Sequence, residues 1–309
     1  MENFASQVKR PVNSRFCNVS SYMTQLLEIR SDDPKLHVVF IPGNPGVIAF
    51  YKDFLESLYE LFGGTASITA IAHISHTKRD WERRLFSLQE QIDHKVDFIK
   101  DELWNSEVPI VLVGHSIGAY MALESLRRTQ EKVNYCVALY PFLMVNPESM
   151  QQSIVAKISA SFILSFLVSY ALALLGLLPR WALRLVVLTL IGRAWSNTAI
   201  EAACSQLVKY HILRNVLFLT NSEFRKLSET PDWIFMRENR DKITLLFGQD
   251  DHWGPLKIFE EISKQVPGIS LSIEREGHNH HFSCTEAGSL WVAQHVASLI
   301  KGKLPISSQ

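Results

Sequence analysis

The sequence predicts an α/β fold, in which a mostly parallel central sheet carries helices on both faces. Short apolar runs alternate along the chain with segments whose apolar residues recur at helical spacing, which is the pattern of a parallel sheet covered on two sides. Of the 309 residues, 47% are hydrophobic and 20% charged, enough for a sizeable core. Lys plus Arg balance Asp plus Glu at 31 each, so we expect no nucleic-acid partner.

The strands and helices of the N-terminal half follow one another in a regular order. Each short apolar run predicts a buried strand: Leu36–Ile41, Ala66–Ile74, Pro109–Gly114 and Val133–Tyr140. Between them, helical spacing of apolar residues predicts helices over residues 50–61, Trp81–Trp104 and Ile117 to about Arg128.

The same alternation returns near the C-terminus, after a segment that interrupts it. Strands are predicted over Ile243–Phe247 and Ile269–Ile273, with helices starting at Leu256 and covering Thr285–Ile300. We therefore predict a core built from residues 1–150 and 236–309. Residues 151–235 are predicted to form a helical cap inserted between the two parts of the core.

A G-x-S-x-G sequence, Gly114-His115-Ser116-Ile117-Gly118, lies between a predicted strand and a predicted helix. A nucleophilic serine projects from such a tight strand-to-helix turn, whose strained backbone tolerates only small residues two positions away. The Ile117 N–H, at the start of the helix, would face a developing oxyanion. The pattern also arises by chance, but the strand before it and the helix after it favour Ser116 as a catalytic nucleophile.

An acid and a base are expected later in the chain, in the order Ser, Asp, His. Asp251 follows the strand ITLLF, at the sheet edge where such sites gather, and is the predicted acid, with Asp250 as the competing residue. His280 is the predicted base, with His278 and His281 as alternatives. A metal site is the weaker interpretation of these three histidines, and we predict neither a metal nor a cofactor.

The second donor to an oxyanion is expected in the loop after the strand Leu36–Ile41. The sequence there is Pro42-Gly43-Asn44-Pro45-Gly46. The backbone N–H of Asn44 is the candidate, because Pro45 has none. An ordinary Pro/Gly turn is the alternative, and the position of the loop relative to Ser116 favours the oxyanion role.

Three motifs together resemble the lipid droplet-associated hydrolases, a family of the α/β-hydrolase superfamily. They are Ile41–Gly46 (IPGNPG) followed by Phe50-Tyr51, then Leu88-x-x-Gln91-Ile92-x-His94-Lys95, then Gly114–Gly118 (GHSIG). The resemblance spans nearly the whole chain and implies the α/β-hydrolase fold, with Ser116, Asp251 and His280 as nucleophile, acid and base. It further implies a serine hydrolase of lipid droplets and the endoplasmic reticulum, acting on sterol esters and triacylglycerols.

Two details of the resemblance bear on single residues. Asn279-His280-His281-Phe282 departs from the Pro-His-Ala-Phe that the family leads us to expect around the base. His94 and Lys95 match a family motif, and we interpret them as solvated charges on the surface of their helix.

The predicted cap contains an uncharged stretch of 21 residues, Ile158–Leu178, long enough to cross a bilayer once. A single crossing would separate Ser116 from His280, which a catalytic triad forbids. The second limb, Trp181–Ile191, is too short for another span and carries Arg184. We therefore predict a helical hairpin over about residues 154–192 that dips into one leaflet or a droplet monolayer and covers the site. The alternative is a buried pair of cap helices.

Charge and targeting signals agree with a membrane surface facing the cytosol. The cations of the hairpin stand where interfacial cations are expected: Lys157, Arg180, Arg184 and Arg193. The first sixteen residues lack the apolar centre of a signal peptide, which favours the cytosolic face of the endoplasmic reticulum membrane.

Three functions remain open from the sequence. The main prediction is hydrolysis of lipid esters at a droplet surface through a Ser-Asp-His triad. The alternative is a droplet-bound scaffold that keeps the fold with little or no lipase activity, because an intact motif does not measure a rate. A soluble esterase with an ordinary cap would require the stretch 158–178 to be buried.

Overall fold

The computed structural model describes residues 12–79, 81–191 and 194–304. Its strands are β1 Asn13–Val19, β2 Tyr22–Ile29, β3 Leu36–Ile41, β4 Ala66–Ile71, β5 Ile110–His115, β6 Val133–Leu139, β7 Ile243–Gly248 and β8 Ser270–Glu274. They form one sheet in the order β1-β2-β4-β3-β5-β6-β7-β8. Strand β2 is antiparallel to β1 and β4, and every pairing from β4 through β8 is parallel. The predicted mostly parallel sheet is confirmed.

The helices of the described residues connect these strands. They are α1 Lys52–Leu61, α2 Leu88–Glu102, α3 Ile117–Arg128, α4 Met150–Ala160, α5 Phe162–Leu175, α6 Arg180–Ile191, α7 Asn197–Ala202, α8 Tyr210–Leu227, α9 Trp233–Glu238, α10 Leu256–Gln265 and α11 Glu286–Lys303. A π-helical turn covers Ala203–Leu207, and short 3₁₀ turns cover Ile48–Tyr51, Arg240–Lys242 and Phe282–Cys284.

Strand β3 shows how one sheet supports two cores. Successive side chains of a strand point to opposite faces. Val38 and Phe40 therefore pack with α1 and α11, whereas Val39 and Ile41 pack with α2, α3 and α10. Because both faces are covered, the strand reads as a continuous apolar run, and the prediction of helices on both faces is confirmed.

Several boundaries and one pair of strands differ from expectation, and the start of α2 differs most. Helix α2 begins at Leu88 rather than Trp81, because Ser87 and Glu90 form a capping box that starts the helix there. Strand β4 ends at Ile71 rather than Ile74. The edge strands β1 and β2 were not anticipated, since most residues of β1 are at least partly exposed and its sequence, NSRFCNV, carries little apolar signal.

The uncharged stretch of the insertion is not one helix, so the first limb of the predicted hairpin is shorter than the stretch Ile158–Leu178. Helix α4 ends at Ala160, and α5 starts at Phe162 with its axis bent by 99°. The hydroxyl of Ser161 accepts a hydrogen bond from the Leu164 N–H and so caps a new helix. Within the described ranges no single helix is both long and apolar enough to cross a membrane, although α4 and α5 together meet that test. Arg193 lies outside the described residues.

The prediction that His94 and Lys95 are solvated charges on the surface of their helix is also wrong. Each side chain is only 1% exposed, so neither is a solvated surface charge. Both lie on the buried side of α2, where Lys95 Nζ donates to the Ala72 carbonyl at 2.9 Å. The spacing of apolar residues along α2 did not reveal this burial, because a lysine is buried only where a distant segment supplies a polar partner.

Candidate active site

Ser116 occupies a sharp turn between β5 and α3. Its φ of 56° and ψ of −124° are rare for a residue other than glycine and place the side chain at the top of the sheet. A Cβ atom at Gly114 would overlap the Gly118 carbonyl, and one at Gly118 would overlap the Ile41 carbonyl. The two glycines of the motif are therefore required by the close approach of β5, α3 and β3.

The three predicted catalytic side chains meet at the carboxyl edge of the sheet. Ser116 Oγ lies 2.9 Å from His280 Nε2, and His280 Nδ1 lies 2.8 Å from Asp251 Oδ2. Asp251 follows β7 and His280 follows β8, so parallel neighbouring strands bring them to the same edge as the turn after β5. The arrangement has the order of contacts found in a nucleophile, base and orienting acid.

The environment of Asp251 determines how the protons are distributed. Burial opposes ionisation of its carboxyl, but the charge and hydrogen bond of His280 and the Trp253 and Gly254 amides outweigh burial and lower its pKa. An ionised Asp251 only accepts hydrogen bonds, so His280 Nδ1 carries a proton and donates to it. His280 Nε2 is then free to accept the proton of the Ser116 hydroxyl.

The loop after β3, residues 42–46, lies directly against the serine. A Cβ atom at Gly43 would approach the Ser116 Cβ to 3.0 Å. Asn44 follows in this loop and lines the same cavity as Ser116, and Ile117 is the first residue of α3, directly after Ser116. In the described part of the chain, neither the Asn44 N–H nor the Ile117 N–H donates to another protein atom. This geometry suits two donors to an oxyanion.

Sequence reasoning missed a hydrogen-bond chain through His115 and Tyr51. His115 Nε2 donates to the His280 carbonyl at 2.9 Å, and its Nδ1 accepts from the Tyr51 hydroxyl at 2.7 Å. The Tyr51 oxygen in turn accepts from the Gly43 N–H at 3.1 Å. Burial, followed by the charges of His280 and His281, holds the pKa of His115 far below its usual value, so the ring is neutral. The only sequence signal was the place of His115 inside the G-x-S-x-G motif.

Asn44 makes a second contact that the sequence did not indicate. Its Nδ2 lies 3.0 Å from the Glu223 Oε1, the Thr220 hydroxyl and the Val216 carbonyl, all on α8. Burial raises the pKa of Glu223 to about 8, and the hydrogen bond from Asn44 opposes this shift. Helix α8 thus contacts the same loop that lies against Ser116.

A cavity of about 590 Å³ opens onto Ser116 and His280. Apolar side chains from the core and from the helices between β6 and β7 line it: Phe50, Phe142, Val155, Leu207, Val216 and Trp253. Binding sites for apolar ligands combine such apolar walls with a few polar groups.

The alternative residues for the acid and the base do not take part in the hydrogen bonds that join Ser116, His280 and Asp251. Asp250 is exposed, whereas Asp251 is 5% exposed. The His278 ring packs near Trp291, with centroids 5.8 Å apart. His281 is exposed. Among the described residues, no three His, Cys, Asp or Glu side chains converge in a metal-binding arrangement.

Similarity to known proteins extends over most of the chain. The chain is 27% identical over 265 residues to a lipid droplet-associated hydrolase of Gallus gallus, covering 81% of this chain and 80% of that protein. It is 28% identical over 268 residues to a lipid droplet-associated hydrolase of Homo sapiens, with the same coverage of 81% and 80%. A haloalkane dehalogenase from Bradyrhizobium elkani superposes with a TM-score of 0.72 at 15% identity, over 96% of this chain and 100% of that chain.

The structural likeness shows the α/β-hydrolase fold. The model of one protein family, lipid-droplet associated hydrolase, matches residues 34–283, which is well over half of the chain. This chain is therefore a hydrolase of α/β-hydrolase fold that belongs to the lipid-droplet associated hydrolase family.

Proposed function

We propose that this hydrolase cleaves carboxylic esters of lipids, with Ser116 as nucleophile, His280 as base and Asp251 as the acid that orients it. One observation carries the proposal: the continuous hydrogen-bond chain from Ser116 through His280 to Asp251, at 2.9 Å and 2.8 Å, on the floor of an apolar cavity.

The proposed reaction proceeds in two steps. His280 Nε2 takes the Ser116 proton as Oγ bonds to the acyl carbon, and the resulting oxyanion accepts from the Asn44 and Ile117 amides. His280 then donates the proton to the departing alcohol, which leaves an acyl ester on Ser116. A water molecule, deprotonated by the same imidazole, then attacks the acyl carbon, and the Ser116 Oγ leaves with the proton from His280, which releases the fatty acid. Neither step requires a metal or a cofactor.

Helix α5 favours lipid esters as substrates, because it exposes apolar side chains and buries polar ones. Helix α5 buries its serines, with Ser165 5% and Ser169 0% exposed, while Phe162 and Ile163 are 74% and 68% exposed. A helix of a water-soluble cap has the opposite arrangement. Large exposed apolar side chains continue along α5, the following turn and α6: Leu167, Tyr170, Leu177, Trp181, Leu185 and Leu190. An apolar patch of this kind marks an interaction surface.

We infer that this surface, formed by α5, α6 and the turn between them, rests on the lipid droplet monolayer or the cytosolic face of the endoplasmic reticulum membrane. Exposed cations lie on α6 itself, at Arg180 and Arg184, and on α4, at Lys157, and such side chains can meet lipid headgroups. The relatives' names place those proteins at lipid droplets. In this proposal residues 151–235 act as a cap that receives sterol esters or triacylglycerols from the surface.

A fluorophosphonate probe and a panel of lipid esters test the proposal. We expect wild type to be labelled and to hydrolyse at least one sterol ester or acylglycerol, and Ser116→Ala to lose both, because the probe forms its bond to an activated serine. Equal labelling of both proteins would disprove the nucleophile. Labelling without hydrolysis of any lipid would favour the droplet-bound scaffold instead.

A further inference from the structure

A buried polar cluster lies behind the loop of residues 42–46, which we call the oxyanion loop. Its members, Gln91, Lys95, His73 and His76, are each at most 1% exposed. Gln91 and Lys95 belong to the motif on α2 that the catalytic proposal leaves without a role. Buried polar side chains are costly unless they are hydrogen-bonded, so the contacts they make indicate what they do.

Gln91 and Lys95 bind the backbone of the segment after β4. Gln91 Oε1 accepts from the Ile74 N–H at 2.9 Å, and its Nε2 donates to the Ile74 carbonyl at 3.2 Å. Lys95 Nζ donates to the Ala72 carbonyl at 2.9 Å. Two side chains of one helix therefore hold residues 72–74, which follow β4, and the Ala72 N–H also donates to the Gln25 carbonyl of β2 at 3.0 Å.

That segment in turn holds the end of the oxyanion loop. His76 Nδ1 accepts from the Gly46 N–H at 2.8 Å, and the His73 N–H donates to the Gly46 carbonyl at 3.2 Å. The His73 ring packs so closely on Gly46 that a Cβ atom there would overlap it. Both polar groups of the Gly46 backbone are thus fixed two residues after Asn44.

The protonation state of His76 agrees with this role. Burial, followed by the charges of Lys95 and His211, lowers the pKa of His76 to about 3. Its Nδ1 is therefore unprotonated at neutral pH and can accept the Gly46 N–H. Burial alone lowers the pKa of Lys95 far below its usual value, because burial disfavours the charged form of the amine.

We propose that Gln91, Lys95 and His76 are positioning residues that keep the Asn44 amide aimed at the reaction centre through Gly46. An oxyanion donor stabilises the transition state only if it is oriented before the reaction. The inference rests on the proposed function, in which Asn44 is such a donor. It gives the α2 motif a role in the transition state rather than in substrate binding.

The test uses two pairs of variants. His76→Leu is compared with His76→Asn, whose Oδ1 can replace Nδ1 as acceptor. Lys95→Met is compared with Lys100→Met, a control at an exposed lysine on the same helix. Turnover of a water-soluble short-chain ester is measured per Ser116 that reacts with fluorophosphonate. Misfolded protein, whose serine does not react with the probe, is thereby left out of the measured turnover. Hydrogen exchange of the Gly46 amide is measured on the same proteins.

We expect His76→Leu and Lys95→Met to lower kcat by about 10- to 100-fold, with KM within about twofold, as loss of an oxyanion donor does. Gly46 exchange should accelerate about tenfold or more, while His76→Asn and Lys100→Met stay within about threefold of wild type. Unchanged kcat in both test variants, or unchanged exchange, would overturn the inference. If wild type hydrolyses no ester, the proposed function fails, and Gly46 exchange alone decides whether Lys95 and His76 hold the loop.

Discussion

His280 and Asp251 lie beside chemically identical neighbours, so the site offers internal controls at the scale of single residues. His280→Ala and Asp251→Asn should each reduce ester hydrolysis by about 10³-fold or more, since the serine loses its base or the base loses its orientation. Steady-state hydrolysis of a soluble ester, normalised to folded protein, measures the loss.

The matched variants are His278→Ala and Asp250→Asn. His278 packs near Trp291 and Asp250 is exposed, so both changes should alter the rate by less than about tenfold. A larger loss in His278→Ala than in His280→Ala would move the base by two residues.

Glu223 provides a prediction about pH. Burial raises its pKa to about 8 from an ordinary 4.5, so the folded protein holds this proton more tightly than the unfolded chain. The stability contributed by the neutral carboxyl is complete below about pH 4.5 and is lost as the pH rises to about 8. Relative to Glu223→Gln, wild type should therefore lose a few kcal/mol of unfolding free energy across this window.

Urea unfolding of both proteins at several pH values measures that difference. Glu229→Gln, at an exposed position on the chain after α8, is the control and should follow wild type at every pH. A gap between wild type and Glu223→Gln that does not change with pH would show that Glu223 is ionised in the folded protein.

At the scale of elements, α5 is defined by the partner of each face. Ser165 accepts from the Arg214 guanidinium of α8 at 2.9 Å, whereas the apolar side chains point outward. Replacing Leu164, Phe166, Leu167 and Leu172 by Ser should release the protein from droplets into the cytosol. Burial of apolar surface contributes about 25 cal/mol per Å², so four side chains account for much of the adsorption free energy. Fluorescence microscopy of the tagged full-length chain measures the shift.

Two further observations decide what the shift means. Ile234→Ser with Leu290→Ser removes exposed apolar side chains outside α5 and α6, 63% and 47% exposed, and should leave the protein on droplets. The quadruple variant should keep its fluorophosphonate labelling, because the sheet does not depend on those side chains. Aggregation of that variant, or droplet binding equal to wild type, would identify the two helices as a buried cap.

At the scale of the whole molecule, the site exists only where one sheet joins three distant segments. Ser116 and His280 are 164 residues apart, and Asp251 lies between them in sequence. Labelling by fluorophosphonate and far-UV circular dichroism should therefore disappear in the same urea transition, since the two cores pack on one sheet. Loss of labelling at clearly lower urea would show that the loops after β7 and β8 open before the sheet unfolds.

Local patterns were sufficient for the elements whose buried faces are apolar. Strands β3 and β5 and helix α3 were predicted nearly residue by residue, because a strand buried on both faces and a helix with one apolar stripe leave a periodic signal. The G-x-S-x-G turn was equally visible, since Gly114 and Gly118 follow from sterics within a few residues. Strand β1 left little such signal, because an edge strand buries few of its side chains.

The sequence also named Ser116, Asp251 and His280 as candidates, and the structure places their side chains in hydrogen-bond contact. Their catalytic roles remain predictions. The choice of His280 over its two neighbours was open in the sequence, because all three histidines carry the same chemistry within four residues. Only the path of the chain after β8 decides which ring faces the serine.

The buried polar contacts were decided by tertiary structure alone. Lys95, His115 and Glu223 all read as ordinary polar residues, and each is buried because a partner from a remote segment satisfies it. The break at Ser161 is likewise invisible to an average over 21 uncharged residues. Periodicity records whether a face of an element is apolar. The partner of a polar side chain depends on which distant segments the sheet brings together, and no local pattern encodes that.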